Sequence, residues 1–297
     1  MAFRFGLVAA QTQGAAEFKE MARRAEAAGY ASLLMPDTSG PVLSPFSALA
    51  TAAAVTTTLR VGNWVLAGDF RNPVLLAREA ATLDLLSEGR YELGVGAGRD
   101  DNDYASLGLQ RPSSGGVRLS RLAESLEIIS RLFQGETVTF HGQHYQVESA
   151  TLYPRPPRSV PILMAASRPR SIGIAGRFAS IVALASGARE WFLQQRQALQ
   201  AAAGERYAGI ELATIVWPVP DDNPAAAEAS RAMLRRVSGM DVDTLIANQA
   251  PTVLVGSRES MIDQLQERRE TLGLSYIAVG AQAAEWFAPI VVRLAGT

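Results

Sequence analysis

The 297-residue sequence predicts a (β/α)8 TIM barrel, a closed parallel sheet wrapped in helices. Three observations carry that expectation. Eight short apolar runs recur along the chain, nearly every one followed by a helical pattern. No G-x-G-x-x-G fingerprint follows the first run, so the signature of an open dinucleotide-binding sheet is missing. The polar or glycine-rich ends of the runs are spread along the whole chain. A barrel gathers such ends on one face, whereas an open sheet binds its ligand at a single switch point. Residues 1–297 read as one domain, with insertions after strand four and before strand five.

The elements follow in order. Phe3 to Ala9 is the first strand, and Ala16 to Ala28 carries apolar groups at Phe18, Met21, Ala22 and Ala25, a helical spacing stopped by Gly29. Tyr30 to Met35 is the second strand, closed by Pro36 and Asp37, and the alanine-rich Phe46 to Thr57 is a helix. Leu59 to Leu66 is the third strand; Pro73 then sits in the first turn of a helix that ends at Gly89. The fourth strand, YELGVGAGR over Tyr91 to Arg99, ends on alternating glycines at Gly94, Gly96 and Gly98. Those glycines either let a ligand approach bare backbone or let helices pack close to the strand.

Asp100 to Gly116 is polar, contains Pro112 and reads as a mobile loop. Val117 to Gln134 is an amphipathic helix with Leu119, Leu122, Leu126, Ile129 and Phe133 on one side. Thr137 to Val147 alternates around Gly142 as an inserted hairpin. Val160 to Met164, Ile181 to Ala185, Glu211 to Val219 and Leu274 to Val279 are strands five to eight. Pro224 to about Ala250, Ser257 to Leu272 and Ala283 to Leu294 are helical.

Composition narrows the function. Hydrophobic residues are 48% and charged residues 19%, ordinary for a globular α/β enzyme. With a net charge of −1 and scattered Lys and Arg, there is no electrostatic footprint for nucleic acid or an anionic membrane. The absence of cysteine removes disulfides, thiolate metal sites and a cysteine nucleophile. No apolar run approaches the ~18 residues of a spanning helix and no leader is recognisable, so a cytoplasmic protein is expected.

The strand ends hold Asp37 and Thr38, Trp64 to Ala67, Gly96 to Arg99, Ala165 to Arg168, Ser186 to Arg189 and Gln282. This set lacks the acid pair of a glycosidase and a histidine cluster for metal. The small residues at Ala165, Ala166 and Ser167 and at Ser186 and Gly187 either cap helices or expose N–H groups as a phosphate cradle, with Arg168 or Arg189 adding charge. Asp37 either holds a polar ligand edge or caps the next segment. Trp64 is either core or a ligand support. His141 and His144, separated by two residues in a hairpin without an acidic partner, read as hairpin surface and not as metal ligands.

The segments MPD at 35–37, LRVGNWVL, FRNPVLLAREAATLDLLSEGRYELGVGAG at 70–98, FHGQHY and PILMAASRPR at 161–170 resemble the luciferase-like monooxygenase superfamily, and within it the oxidoreductases that depend on the deazaflavin coenzyme F420. The resemblance covers most of the chain and implies a tricyclic ring over the ends of strands three and four. It implies a non-prolyl cis peptide at Trp64 and Val65 beneath the ring, and Asp37 with Thr38 at the ring's polar edge. Ala67, Gly96, Ala97 and Gly98 would line the ring site; Ala165, Ala166, Ser167, Ser186 and Gly187 would hold phosphate, with Arg189 as a nearby cation. Many F420-dependent relatives have His where this chain has Thr38, and some have Glu where it has Arg99. Threonine cannot serve as a base near neutral pH. The proton relay would then pass to Tyr104, Asp100 or water, while Arg99 would suit an anionic or carbonyl-bearing substrate.

The resulting expectation is hydride transfer between F420 and a small organic substrate, with Asp37, Arg99 and Tyr104 as catalytic candidates and a homodimeric assembly. The alternatives are an FMNH2-dependent monooxygenase and a non-catalytic flavin-binding relative.

Overall fold

A computed structural model describes residues 1–10, 14–98, 101–184 and 187–297. The chain opens with β1 (Arg4–Val8), α1 (Ala15–Ala27), β2 (Ser32–Met35), α2 (Pro45–Ala54), β3 (Arg60–Asn63), β4 (Leu66–Ala67) and α3 (Pro73–Leu86). It continues through β5 (Tyr91–Gly96), α4 (Asp101–Ser106), α5 (Gly115–Phe133) and the antiparallel hairpin β6 (Val138–His141) and β7 (Gln146–Ala150). Then come β8 (Ile162–Ala166), α6 (Pro169–Phe178), β9 (Ile181–Leu184), α7 (Arg189–Ala203) and β10 (Glu211–Pro220). The last part is α8 (Pro224–Ser238), α9 (Val242–Ala247), β11 (Val253–Gly256), α10 (Arg258–Leu272), β12 (Leu274–Gly280) and α11 (Ala284–Leu294).

The sheet closes. In order β1, β2, β3 with β4, β5, β8, β9, β10 and β12, every neighbour is parallel, and β12 returns to β1. This is the expected barrel of eight strands, with β3 and β4 counting as one strand interrupted at Trp64 and Val65, whose peptide is cis.

The interior is organised by height. At the N-terminal end, Arg4, Arg60, Glu92 and Glu211 enter from the first or second residue of their strands and form ion pairs, each at 2.6 Å: Arg4 to Glu92 and Glu211, Arg60 to Glu92. Above them a buried cluster that includes Val8, Leu34, Leu163, Ala213 and Tyr276 fills the barrel, and Trp64 and Val65 pack on top of it. Outside, the larger cluster joins the helices to the strands through Phe5, Leu33, Leu76, Leu93, Leu126 and Phe287. Local chemistry fixes the helix starts: Asn72 accepts from the N–H groups of Val74 and Leu75 ahead of Pro73, and Ser257 caps α10 through the Ser260 N–H.

Four features differ from the sequence reading. The supposed loop at Asp100 to Gly116 contains α4, whose short polar run DNDYAS has too little apolar periodicity to announce a helix. The fifth strand lies later than expected, at Ile162–Ala166, because it pairs with Leu93 to Val95 of β5 and with β9. The helical stretch after Pro224 divides at Gly239, which has φ 69°, into α8 and α9. The extra strand β11 pairs with Trp217 to Pro220, the part of β10 that runs past its barrel neighbours.

Candidate active site at the mouth of the barrel

The ends of β2, β4 and β5 form one shelf. Ala67 pairs with Gly96, and the Ala67 N–H donates to Asp37 Oδ2 at 3.2 Å. The glycines of β5 explain the shelf's shape. A Cβ on Gly94 would stand 1.8 Å from the Asn63 carbonyl oxygen, and one on Gly96 would stand 2.8 Å from Val65 Cγ2. Gly94 thus makes room for the displaced backbone of the neighbouring strand, neither for a helix nor for a ligand. Trp64 and Val65 are half-buried, their covered sides on the barrel interior, and Trp64 meets Tyr276 edge-on at 6.3 Å. Val65, Ala67, Gly96 and Gly98 therefore lie side by side, with Ala97 between the two glycines in sequence.

Asp37 is clamped. Its two oxygens accept from Arg71 Nη1 at 2.6 Å and Nη2 at 3.2 Å, a bidentate pair in addition to the Ala67 bond. Burial works against the Arg71 charge, but the bonds and charge of Asp37 more than offset it, and the guanidinium is held above its ordinary pKa. Thr38 is engaged as well: its hydroxyl donates to Asp103 Oδ1 at 2.9 Å, and the same oxygen accepts from the Ser39 N–H at 2.6 Å and the Ser39 hydroxyl at 2.8 Å. Burial pushes the Asp103 carboxyl up, yet these donors bring it below its usual value.

Tyr104, the next residue of α4, donates to both oxygens of Asp69 at 2.9 Å and packs edge-on against Phe70 at 5.1 Å. Burial, and then Asp69, raise its phenol above the ordinary range. α4 is thereby fastened by consecutive side chains to the turns after β2 and β4.

The phosphate-cradle residues separate into two groups. Ala165 is exposed and Ala166 and Ser167 lie on β8 or just past it, next to β5. The N–H groups of Ser167 and Arg168 both donate to Ser171 Oγ at 3.1 Å, so the helix cap already uses them. Gly187 lies under the Trp191 ring, where a Cβ would come within 2.2 Å. Arg189 is turned to α10, donating to Glu267 at 2.6 Å and to Thr271 at 2.7 Å. Arg99, Asp100 and Ser186 lie outside the described residues.

Sequence reasoning missed the cations beside the shelf. Leu122 of α5 packs against Gly68, which puts the N-terminal part of α5 at the mouth. There Arg118 and Arg121 each bury an Nε, and the hairpin's Tyr145 its hydroxyl, without a hydrogen-bond partner among the described residues. Arg121 lies 5.8 Å from the Tyr145 ring, and Arg170 of α6 flanks Gly116. Glu124 holds the hairpin turn in place by accepting from the N–H groups of Gln143, His144 and Tyr145 at 2.9 to 3.1 Å. His141 is exposed as expected; His144 is half-buried with Nε2 unpartnered, because Glu124 draws the turn onto α5. The signal was the R-x-x-R spacing on the polar side of a helix that starts at the mouth. Among the described residues no group of acids and histidines could hold a metal ion.

A parallel barrel whose mouth combines a bulged shelf, a clamped acid and arginines with a buried, unsatisfied Nε defines a ligand-binding barrel of the enzyme type. The family description "Luciferase-like monooxygenase" matches residues 2–275, and the chain belongs to that family. F420-dependent glucose-6-phosphate dehydrogenases of Microbacterium testaceum and Nakamurella multipartita are each 36% identical over 193 residues, 62% of this chain. That match spans 57% and 56% of those two proteins, so the chain matches little more than half their length. The coenzyme F420-dependent tetrahydromethanopterin reductase of Methanopyrus kandleri superposes with a TM-score of 0.82 over 99% of both chains at 19% identity. A monooxygenase of Streptomyces bottropensis superposes with a TM-score of 0.78 over 98% of this chain and 97% of its own at 25% identity.

Proposed function

We propose that this chain is an oxidoreductase that binds coenzyme F420 at the barrel mouth and exchanges hydride between it and a small organic substrate. The observation that carries the reading is the set of buried donors beside the shelf that lack a partner among the described residues, Arg118 Nε, Arg121 Nε and the Tyr145 hydroxyl. Buried polar atoms are normally satisfied, and these three have the chemistry to receive a phosphate. The curated F420-dependent relatives supply the cofactor class. F420, when bound, supplies the hydride chemistry.

The chain's own residues orient and exclude. Val65 and Trp64 offer the ring a firm apolar seat, and Asp37, fixed by Arg71, presents a carboxylate edge of set direction. Arg118, Arg121 and Tyr145 take the phosphate in this reading, a role that passes to them from Arg189, whose guanidinium is engaged by α10. With Asp37 and Thr38 both committed, proton handling in this reading falls to the Tyr104 phenol, which Asp69 holds in place by hydrogen bonding. The reading includes a cytoplasmic homodimer, in which a second copy covers the exposed Leu75, Leu85 and Leu86 of α3.

FMN is the second reading, favoured by the likeness to the Streptomyces bottropensis monooxygenase. Fluorescence titrations with F420 and with FMN separate the two. The expected result is saturable F420 binding, weakened roughly tenfold or more in both Arg118→Gln and Arg121→Gln, since a charged hydrogen bond contributes about 1.5–3 kcal/mol. Tighter binding of FMN than F420 reverses the cofactor assignment, and binding of neither removes the proposal.

A further inference from the structure

A cavity of about 430 Å³ lies outside the barrel wall, where the start of α7, the end of α9, β11 and α10 meet. It shares no residue with the shelf. Ile246, Ala250, Val253 and Val255 give it apolar walls. Its volume falls in the range of small-molecule sites, which are mostly apolar with a few placed polar groups.

The charge balance is what singles it out. Arg268 lines the cavity and is only 8% exposed. Its guanidinium donates to the carbonyls of Pro251 at 2.9 Å and Val253 at 2.7 Å and, more weakly, to Gln264 Oε1 at 3.5 Å, and no carboxylate among the described residues pairs with it at salt-bridge distance. The neighbouring acid, Glu267, is turned to Arg189 and Thr271. Two cations and one anion therefore line the space, a surplus of one positive charge. Glu267 is the acid whose charge acts on Arg268, but it is ion-paired with Arg189, so Arg268 is only partly compensated and an incoming anion relieves the surplus. Arg268 retains N–H groups beyond those given to the carbonyls and Gln264, since a guanidinium carries five. The wall is also held firm: Gln264 accepts from the Val255 N–H and donates to the Val255 carbonyl, at 3.2 and 2.7 Å.

We propose that this cavity binds a small organic monocarboxylate, its carboxylate on Arg268 and its hydrocarbon part against Ile246, Ala250 and Val253. The site is independent of the cofactor reading. Monoanionic charge matches the surplus, and the apolar walls select an aliphatic or aromatic body over inorganic anions.

Benzoate and its neutral isostere benzamide test it by NMR titration of the full chain, following backbone amides. Saturable benzoate shifts are expected at Ala250, Val253 and Val255, with none from benzamide. Glu267→Gln raises the surplus charge and is expected to tighten benzoate binding several-fold. Arg268→Met is expected to weaken it roughly tenfold or more, the scale of one charged hydrogen bond. If Arg268→Met fails to fold, the benzamide and Glu267→Gln arms decide. No saturation, equal response to benzamide, shifts confined to Gly96 and Ala166 at the mouth, or unchanged affinity in Glu267→Gln would each overturn the proposal.

Discussion

Thr38 and Asp103 show how one residue reassigns a neighbourhood. With threonine at 38, the turn after β2 has a hydroxyl and two Ser39 donors to place, and Asp103 collects all three on one oxygen. Removing that carboxylate leaves three donors without their acceptor. Because water reaches the exposed Thr38 and Ser39, Asp103→Ala is expected to destabilise the protein by only about 1 kcal/mol and to raise amide exchange across α4, measured by hydrogen-exchange mass spectrometry. Unchanged exchange in α4 would show that Tyr104 alone holds it.

Glu26 is the residue whose pH signature is cleanest. Burial raises its carboxyl, but the N–H groups of Thr58, Leu59 and Thr57 and the Thr58 hydroxyl all donate to it, bringing the pKa down from 4.5 to about 2. Because the folded value is depressed, its stabilisation is complete above about pH 4.5 and is lost as pH falls from there through about 2. Glu26→Gln is expected to lower stability at pH 7 by roughly 1 kcal/mol, solvent screening keeping it near the low end, with the gap closing towards pH 2 in urea melts. A gap that persists at pH 2 would assign the effect to packing.

Among the elements, β5 and the broken third strand depend on one another. A methyl group on Gly94 would collide with backbone, which has no rotamer to yield, whereas Gly173 in α6 has nothing within 4 Å of its Cβ position. Gly94→Ala is expected to destabilise strongly and disturb the shelf, while Gly173→Ala is expected to stabilise by about 1 kcal/mol through helix propensity. Thermal melts of the two variants read the contrast directly. A mild Gly94→Ala would mean that the bulge at Asn63 to Val65 can shift without loss.

The same elements explain what was legible in the sequence. Strands such as YELGVG and LSYIAVG are buried throughout, so their apolar runs stand out, and α10 carries its cap in Ser257. α4 and β11 were hidden because tertiary contacts support them: consecutive polar side chains fasten α4, and β11 exists only as a continuation of β10 beyond the rim. At the site, Asp37, Trp64 and the β5 glycines were readable because they sit at strand ends. Arg118, Arg121 and Tyr145 were not, since their meeting requires Glu124 to bring a hairpin onto a helix far from it in sequence. Arg189 shows the converse, an arginine at the right strand end whose guanidinium faces another helix.

As a whole molecule, the barrel sets a charge-balanced floor and the candidate binding site at opposite ends of its axis. The ionic floor of Arg4, Arg60, Glu92 and Glu211 closes the N-terminal end with balanced charge, and an apolar cluster separates it from the mouth. Only the mouth combines the shelf of Trp64 and Val65, the Asp37 clamp and the buried donors of α5 and the hairpin that lack a partner among the described residues. The most direct measurement is a crystal structure with F420 bound. The expected density has the ring over Trp64 and Val65 with one edge at Asp37, and the phosphate against Arg118, Arg121 and Tyr145. Ring density away from that shelf, or a phosphate held by Arg189 with Arg118 and Arg121 still unpartnered, would contradict the account.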